Sequence, residues 1–211
     1  MRKLTCFMLV LGLALPVISY GGSGDEKPAD SSVRPYIQVK TVPGEAGTVR
    51  VFFSPSCHFS RQYLPFFQNL ANSLPANRQF VYSPVVNKLD GVSYAMGFEA
   101  VQMYYPAYIN NFIVASMEGI QDMGVSTKKW NGLDRIGRAA HIPVPVSILV
   151  NKHLKQVEKR VVDVVKLQSA LKITNTPSVA VDGTYIVTPE FVAGNPDMFS
   201  KLINALISMT D

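Results

Sequence analysis

Four consecutive residues, Cys57-His58-Phe59-Ser60, bring a thiol, an imidazole and a hydroxyl together between an apolar run (Val49, Val51, Phe52, Phe53) and a stretch of helical periodicity. A cysteine acts as its thiolate, and its reference pKa of about 8.5 makes it a useful nucleophile near neutral pH only where the surroundings favour the anion. A strand that delivers Cys57 to the first turn of a helix supplies that help, because unpaired N–H groups and the helix dipole favour negative charge there. His58 adds a charge and Ser60 a hydroxyl donor. The chemistry within reach of such a group is thiol–disulfide exchange, in which a thiolate attacks a disulfide and forms a mixed disulfide. An inert, buried thiol behaving as a small hydrophobe is the competing reading. The polar lead-in Ser54-Pro55-Ser56 favours the reactive one.

The only other cysteine, Cys6, lies in a segment with the anatomy of a secretory leader. Residues 1–19 have a basic start (Arg2, Lys3), an apolar run over 7–17, and small residues near Ser19 and Gly21. Cleavage between Ser19 and Gly22 is expected, with export to the periplasm. The apolar run is short against the ~20 residues that span a bilayer, so no stable membrane insertion is expected after cleavage. Cys57 is then the one thiol of an exported chain, and such a thiol is buried, cross-linked or reactive. The formal charge of +5 falls to +3 once Arg2 and Lys3 leave. The densest basic places, Lys128-Lys129 and residues 152–160, carry no nucleic-acid motif or aromatic interleaving, so no nucleic-acid partner is expected. His141 and His153 have no metal-ligand spacing.

Residues 20–34 read as a flexible tether, rich in Gly, Ser, Asp and Lys. Alternation over 36–41 predicts a first strand, followed by a Pro43-Gly44 turn and a second strand over 48–53. Apolar residues at Phe59, Tyr63, Phe66, Phe67, Leu70 and Leu74 predict a helix over 57–74, and residues 79–86 predict a strand broken at Pro84. Helical segments are expected over 95–103, 107–117 and 127–140, with Trp130 packed in their core, and again over 146–171. An Asp182-Gly183 turn between two apolar runs marks a hairpin. Asn195 as N-cap and Pro196 at the first helical position open a last helix with Phe199, Leu202, Ile203, Leu206 and Met209 on one face.

Phe52-Phe53-Ser54, the Cys57-His58-Phe59-Ser60 quartet and Pro65 together resemble the active site of the thioredoxin superfamily, and within it the DsbA-like thiol:disulfide interchange proteins, whose pattern is Cys-x-x-Cys. Thr176-Pro177, ahead of a strand and the Asp-Gly turn, resembles the cis-proline loop that faces the active-site cysteine in that family. The resemblance implies an α/β thioredoxin-like fold, a central mixed sheet flanked by helices, with an inserted helical domain. The expected parts are 35–89 and 149–211 for the thioredoxin-like domain and 90–148 for the insert. It further implies Cys57 as nucleophile tuned by His58 and Ser60, with Pro55, Phe59, Thr176 and Pro177 forming a substrate groove. Two departures stand out. Ser60 replaces the second cysteine, and Val51 and Val81 stand where DsbA-like oxidases carry a buried acid and its lysine partner.

Without a second thiol no internal disulfide can form, so the mixed disulfide is released only by another thiol, the substrate's own or a small one. A monothiol oxidoreductase or isomerase acting on exported proteins with cysteines or disulfides is the first reading, with glutathione as a possible co-substrate and no bound cofactor or metal. The second is a redox-inactive chaperone or assembly factor for an envelope or secretion system. A glutathione transferase of the kappa type is the third, and export argues against it.

Overall fold

The computed structural model describes residues 34–210. The expected leader, Cys6, and the tether apart from Arg34 lie outside the described residues.

A strand at the centre of a sheet is covered on both faces, and β2 (Thr48–Phe53) is buried along its length apart from the half-buried Arg50. It follows the short β1 (Ile37–Gln38) and leads through Cys57 into α1 (His58–Gln62) and α2 (Leu64–Ser73). The expected single helix over 57–74 is therefore two. Pro65 has no N–H to give the carbonyl of Arg61, and the helix breaks at Tyr63. Next come β3 (Gln79–Pro84), α3 (Gly91–Tyr104), a 3-10 turn at Pro106–Tyr108, α4 (Ile109–Gln121), α5 (Trp130–Ala139), α6 (Val146–Lys152) and α7 (Leu154–Ala170). The hairpin β4 (Ser178–Val181) and β5 (Tyr185–Val187) then leads to a 3-10 turn at Pro189–Val192 and to α8 (Pro196–Met209). Asn195 caps α8 as expected, its side chain accepting from the N–H groups of Asp197 and Met198.

The sheet runs β1-β5-β4-β2-β3, with β2 and β3 parallel and the other pairs antiparallel. It is a central mixed sheet flanked by helices, with extra helices inserted between β3 and β4: a thioredoxin-like fold with an insertion. β1 is shorter than the alternation over 36–41 predicts because β5 offers it only three residues, and single bonds from Val39 and Val42 to the hairpin turn continue the contact. The helical stretch over 146–171 breaks at His153, whose ring stacks on Tyr104 with centroids 3.7 Å apart.

One sheet face, with Val49, Val51 and Phe53, packs on Phe67, Phe199 and Ile203 and on the inserted helices. Phe53 is the hinge of that packing, lying edge-on to Tyr82, Tyr94 and Phe98 at 5.5–6.4 Å. Burying an aromatic side chain of this size contributes about 2–3 kcal/mol, so the end of β2 is firmly held. The other face buries Phe52, Ala180 and Ile186 against Leu171 and Ile173. Trp130, expected in the core, is instead 40% exposed on the first turn of α5. At Gly132 of the same helix a Cβ would collide with the carbonyl oxygen of Ser126, so the backbone there packs directly on the preceding loop. Among the described residues, no helix is long and apolar enough to cross a membrane.

Candidate active site

β2 ends at Phe53, and a tight turn follows in which the Cys57 N–H donates to the Ser54 carbonyl at 3.1 Å. Cys57 becomes the N-cap of α1 and is partly buried. Its Sγ donates to the backbone carbonyl of Thr176 at 3.2 Å, across 119 residues of sequence. The Thr176-Pro177 peptide bond is cis. The two motifs singled out in the sequence thus meet at one sulfur.

Beside that contact lies a groove of about 400 Å³, lined by Phe59, Tyr63, Thr176, Pro177, Pro189 and Glu190 among others. Phe59 stands 59% exposed at its rim. Tyr63 closes the far wall with its hydroxyl donating to the Gly194 carbonyl at 2.7 Å, and burial pushes that hydroxyl's pKa up. Pro55 does not reach the groove. It is buried under the turn, where its carbonyl accepts from Gln121 Nε2 at 2.7 Å. The same amide lies 3.3 Å from the Cys57 carbonyl, so α4 of the insert grips the turn from below. A surface pair, Arg61 to Asp122 at 2.6 and 2.8 Å, ties α1 to the end of the same helix, and its hydrogen bonds hold the Asp122 carboxyl below the usual range.

His58 is exposed, its ring 6.1 Å from that of Phe59. Ser60 turns inward: it is 1% exposed, and its hydroxyl accepts from the Ser54 N–H at 3.3 Å, bracing the turn rather than facing solvent. The acid–lysine site also needs correction. β2 and β3 pair Val51 with Tyr82 and Val81 with Arg50, so Val81 lies on the opposite sheet face from Val51 and was never its partner. On that other face Arg50 pairs through Nε and Nη2 with Glu45 at 2.8 and 2.9 Å and donates from Nη1 to Ser83 Oγ at 2.6 Å. A different acid lies behind the turn. Asp90, just before α3, is 1% exposed and accepts from Ser54 Oγ at 2.6 Å. Sequence reasoning passed over it because Asn87-Lys88-Leu89-Asp90-Gly91 reads as a polar turn.

No protein-family model matches the chain, and no curated protein matches it. Solved structures do share its fold, among them several proteins named DsbA. DsbA of Pseudomonas aeruginosa is similar with a TM-score of 0.72 at 19% identity, over 83% of this chain and 91% of that one. DsbA of Proteus mirabilis, solved with a non-covalently bound peptide, gives 0.69 at 16% identity, over 83% and 95%. The oxidoreductase DsbA of Xylella fastidiosa gives 0.66 at 20% identity, over 82% and 94%.

Proposed function

We propose that the protein is a monothiol exchange protein of the DsbA-like kind, working in the periplasm on exported proteins that carry cysteines or disulfides. The observation that carries this reading is the partly buried Cys57 sulfur, held against the Thr176 carbonyl at the head of an apolar groove. The thiolate attacks one sulfur of a substrate disulfide. A bond forms to Cys57 Sγ, the substrate S–S bond breaks, and the expelled sulfur leaves as a thiolate that takes up a proton. A second thiol, from the substrate itself or from glutathione, then attacks the mixed disulfide and returns Cys57 to its thiolate. Attack by the substrate's own thiol isomerises a disulfide with no net redox change; two external thiols reduce it. In this reading Phe59, Thr176 and Pro177 seat an extended segment beside the sulfur.

A redox-inactive chaperone or assembly factor for an envelope or secretion system is the second reading. It draws on the apolar side chains around the turn, Phe59, Leu89 and Met123, which are 59%, 72% and 61% exposed. The deciding experiment measures the rate of the purified chain with a small disulfide at neutral pH and traps mixed disulfides from an exported-protein extract. Rapid exchange and trapped adducts that vanish in Cys57→Ala support exchange. A thiol inert to the small disulfide, with Cys57→Ala retaining biological function, overturns it in favour of the scaffold.

A further inference from the structure

A second cavity, of about 330 Å³, borders Cys57 and shares only Thr176 with the groove's lining. Its walls mix polar side chains, Ser54, Ser56, Asn87 and Gln168, with the apolar Val85, Leu89 and Ile173. Behind this wall lies Asp90. Its Oδ2 accepts from Ser54 Oγ at 2.6 Å and from Asn87 Nδ2 at 2.8 Å, while Oδ1 is buried with no hydrogen-bond partner among the described residues. A buried carboxylate with a bare oxygen is unfavourable, and its persistence asks for a reason. Ser54 Oγ is also 3.0 Å from Ser56 Oγ, so a hydroxyl chain runs from Asp90 through Ser54 to Ser56, the residue before the cysteine.

Each serine has one proton to give, which sets the direction of the chain. With Asp90 ionised, Ser54 gives its proton to the carboxylate and Ser56 gives its own to Ser54. Ser56 then offers lone pairs to its other surroundings. When Asp90 carries a proton the order reverses: Asp90 donates to Ser54, Ser54 to Ser56, and the Ser56 proton is free to meet an anion in the cavity that Cys57 also lines.

We infer that Asp90 is a positioning residue for Cys57, coupled to the thiol through Ser54 and Ser56 so that protonation of the carboxylate and ionisation of the sulfur favour each other. In the coupled change the S–H bond of Cys57 breaks, its proton passes to water in the cavity, and an O–H bond forms on Asp90 Oδ2. The pair keeps one negative charge throughout. The inference rests on the reading that Cys57 reacts as a thiolate. Around Asp90 the other groups are Asn87 on its own loop, Tyr94 along α3, Thr127, whose hydroxyl donates to the Asp90 carbonyl at 2.8 Å, and Lys128, whose side chain lies against Gly91. On the helix that Cys57 caps, the charged or titratable groups among the described residues are His58 and Arg61, the latter paired with Asp122, and Glu190 lies on the neighbouring groove.

The test follows the rate of Cys57 alkylation by iodoacetamide against pH in the purified chain and in Asp90→Asn, Ser56→Ala and the double variant. Asp90→Asn moves the midpoint to lower pH by roughly one unit, because the opposing charge goes and the amide can donate into the chain. In the Ser56→Ala background the same change moves it by less than half as much. A folded Asp90→Asn with an unmoved midpoint overturns the inference, as does an equal shift in both backgrounds, which would be charge acting through space alone. Should Asp90→Asn not fold, Ser56→Ala decides: the parent profile spreads over two coupled ionisations and the variant's over one. A parent profile that is already single and is unchanged in Ser56→Ala overturns the coupling. Rapid exchange with small disulfides alongside any of these negative outcomes leaves the exchange reading standing; a thiol that reacts with nothing removes both.

Discussion

The two ends of the central sheet each hold a carboxylate, and they are finished differently. At the hairpin end, Asp182 accepts from the Gly47 N–H through Oδ1 at 2.5 Å and from Arg78 Nη1 through Oδ2 at 2.5 Å, while the same arginine's Nη2 binds the Ile207 carbonyl and Thr210 Oγ1 at 3.0 Å. That corner locks the hairpin turn, the start of β2 and the end of α8 together. At the cysteine end, Asp90 has one buried oxygen with no hydrogen-bond partner among the described residues, and Phe59, Leu89 and Met123 stand exposed around the turn. Both oxygens of Asp182 are matched, and among the described residues one of Asp90's is not. Unmet bonds and exposed apolar side chains persist where a partner has to dock, at some cost in stability.

The largest test of this contrast removes the sulfur. Cys57→Ala abolishes exchange altogether, yet changes stability by less than about 1 kcal/mol, since the side chain is small and partly exposed. Rate assays and thermal melts on the same sample check both halves. Ser60→Cys restores the Cys-x-x-Cys spacing and converts accumulated mixed disulfides into an internal one, read as loss of trapped adducts and loss of free thiol after oxidation.

Asp182→Asn gives the reverse result. It keeps the hairpin turn, because asparagine tolerates the φ of +52° at this position, but it removes the charge facing a nearly buried Arg78. A loss of about 2–4 kcal/mol in denaturant unfolding is expected, with the Cys57 rate unchanged within about twofold. Stability equal to the parent, or a rate that collapses with it, would erase the division of labour between the two ends.

Acid and base titration separates the carboxylates further. Burial alone would raise the Asp182 carboxyl, but hydrogen bonds from Thr210, Arg78 and the Gly47 amide, with the charge of Arg78, hold it below its ordinary value. Its contribution is therefore present above the unfolded pKa of about 3.9 and is lost as pH falls through the lower folded value. Glu99 behaves oppositely. It is 1% exposed on α3, and burial raises its carboxyl despite Arg160, 3.3 Å away. The folded state then holds a proton that the unfolded chain releases, so this group's contribution is complete below about pH 4.3 and is lost as pH rises through the folded value. Glu99→Gln flattens the upper part of the stability–pH curve and Asp182→Asn the lower part, as urea midpoints across pH will show.

What the sequence revealed of this contrast, and what it hid, follows from distance along the chain. The Cys57 turn, the Asp182-Gly183 hairpin and the Asn195 cap are local signals, each a few residues long with its own turn or cap chemistry, and all were legible; the cis Thr176-Pro177 loop was expected only through the resemblance to the thioredoxin superfamily. Asp90 joins Ser54 across 36 residues, and Gln121 reaches the Cys57 carbonyl across 64. No periodicity encodes such pairs. Val81 was assigned to the wrong face because parity between parallel strands depends on register, and one residue of slip reverses every side chain. Ser60 was identified by position, but its inward hydrogen bond to the turn required the fold.

The smallest expected effect concerns what the open end selects. Glu190 is the charged residue on the groove's lining. It is exposed, and among the described residues it accepts only from Asn175 Nδ2, at 3.2 Å, with no cation opposite it. A substrate segment laid in the groove with a lysine or arginine near that rim would supply the missing partner. Exposed ion pairs contribute about 0.2–1 kcal/mol, which corresponds to a preference of up to about fivefold. Competition between cysteine-containing peptides that differ only by Lys or Glu at one position is the measurement, run at low and high salt. The lysine peptide should win at low salt, with the margin shrinking as salt screens the pair and reversing in Glu190→Lys. Equal rates in both salts would leave the groove as an apolar cradle that reads shape alone, and the charge at its rim would belong with the solvated surface rather than with the site.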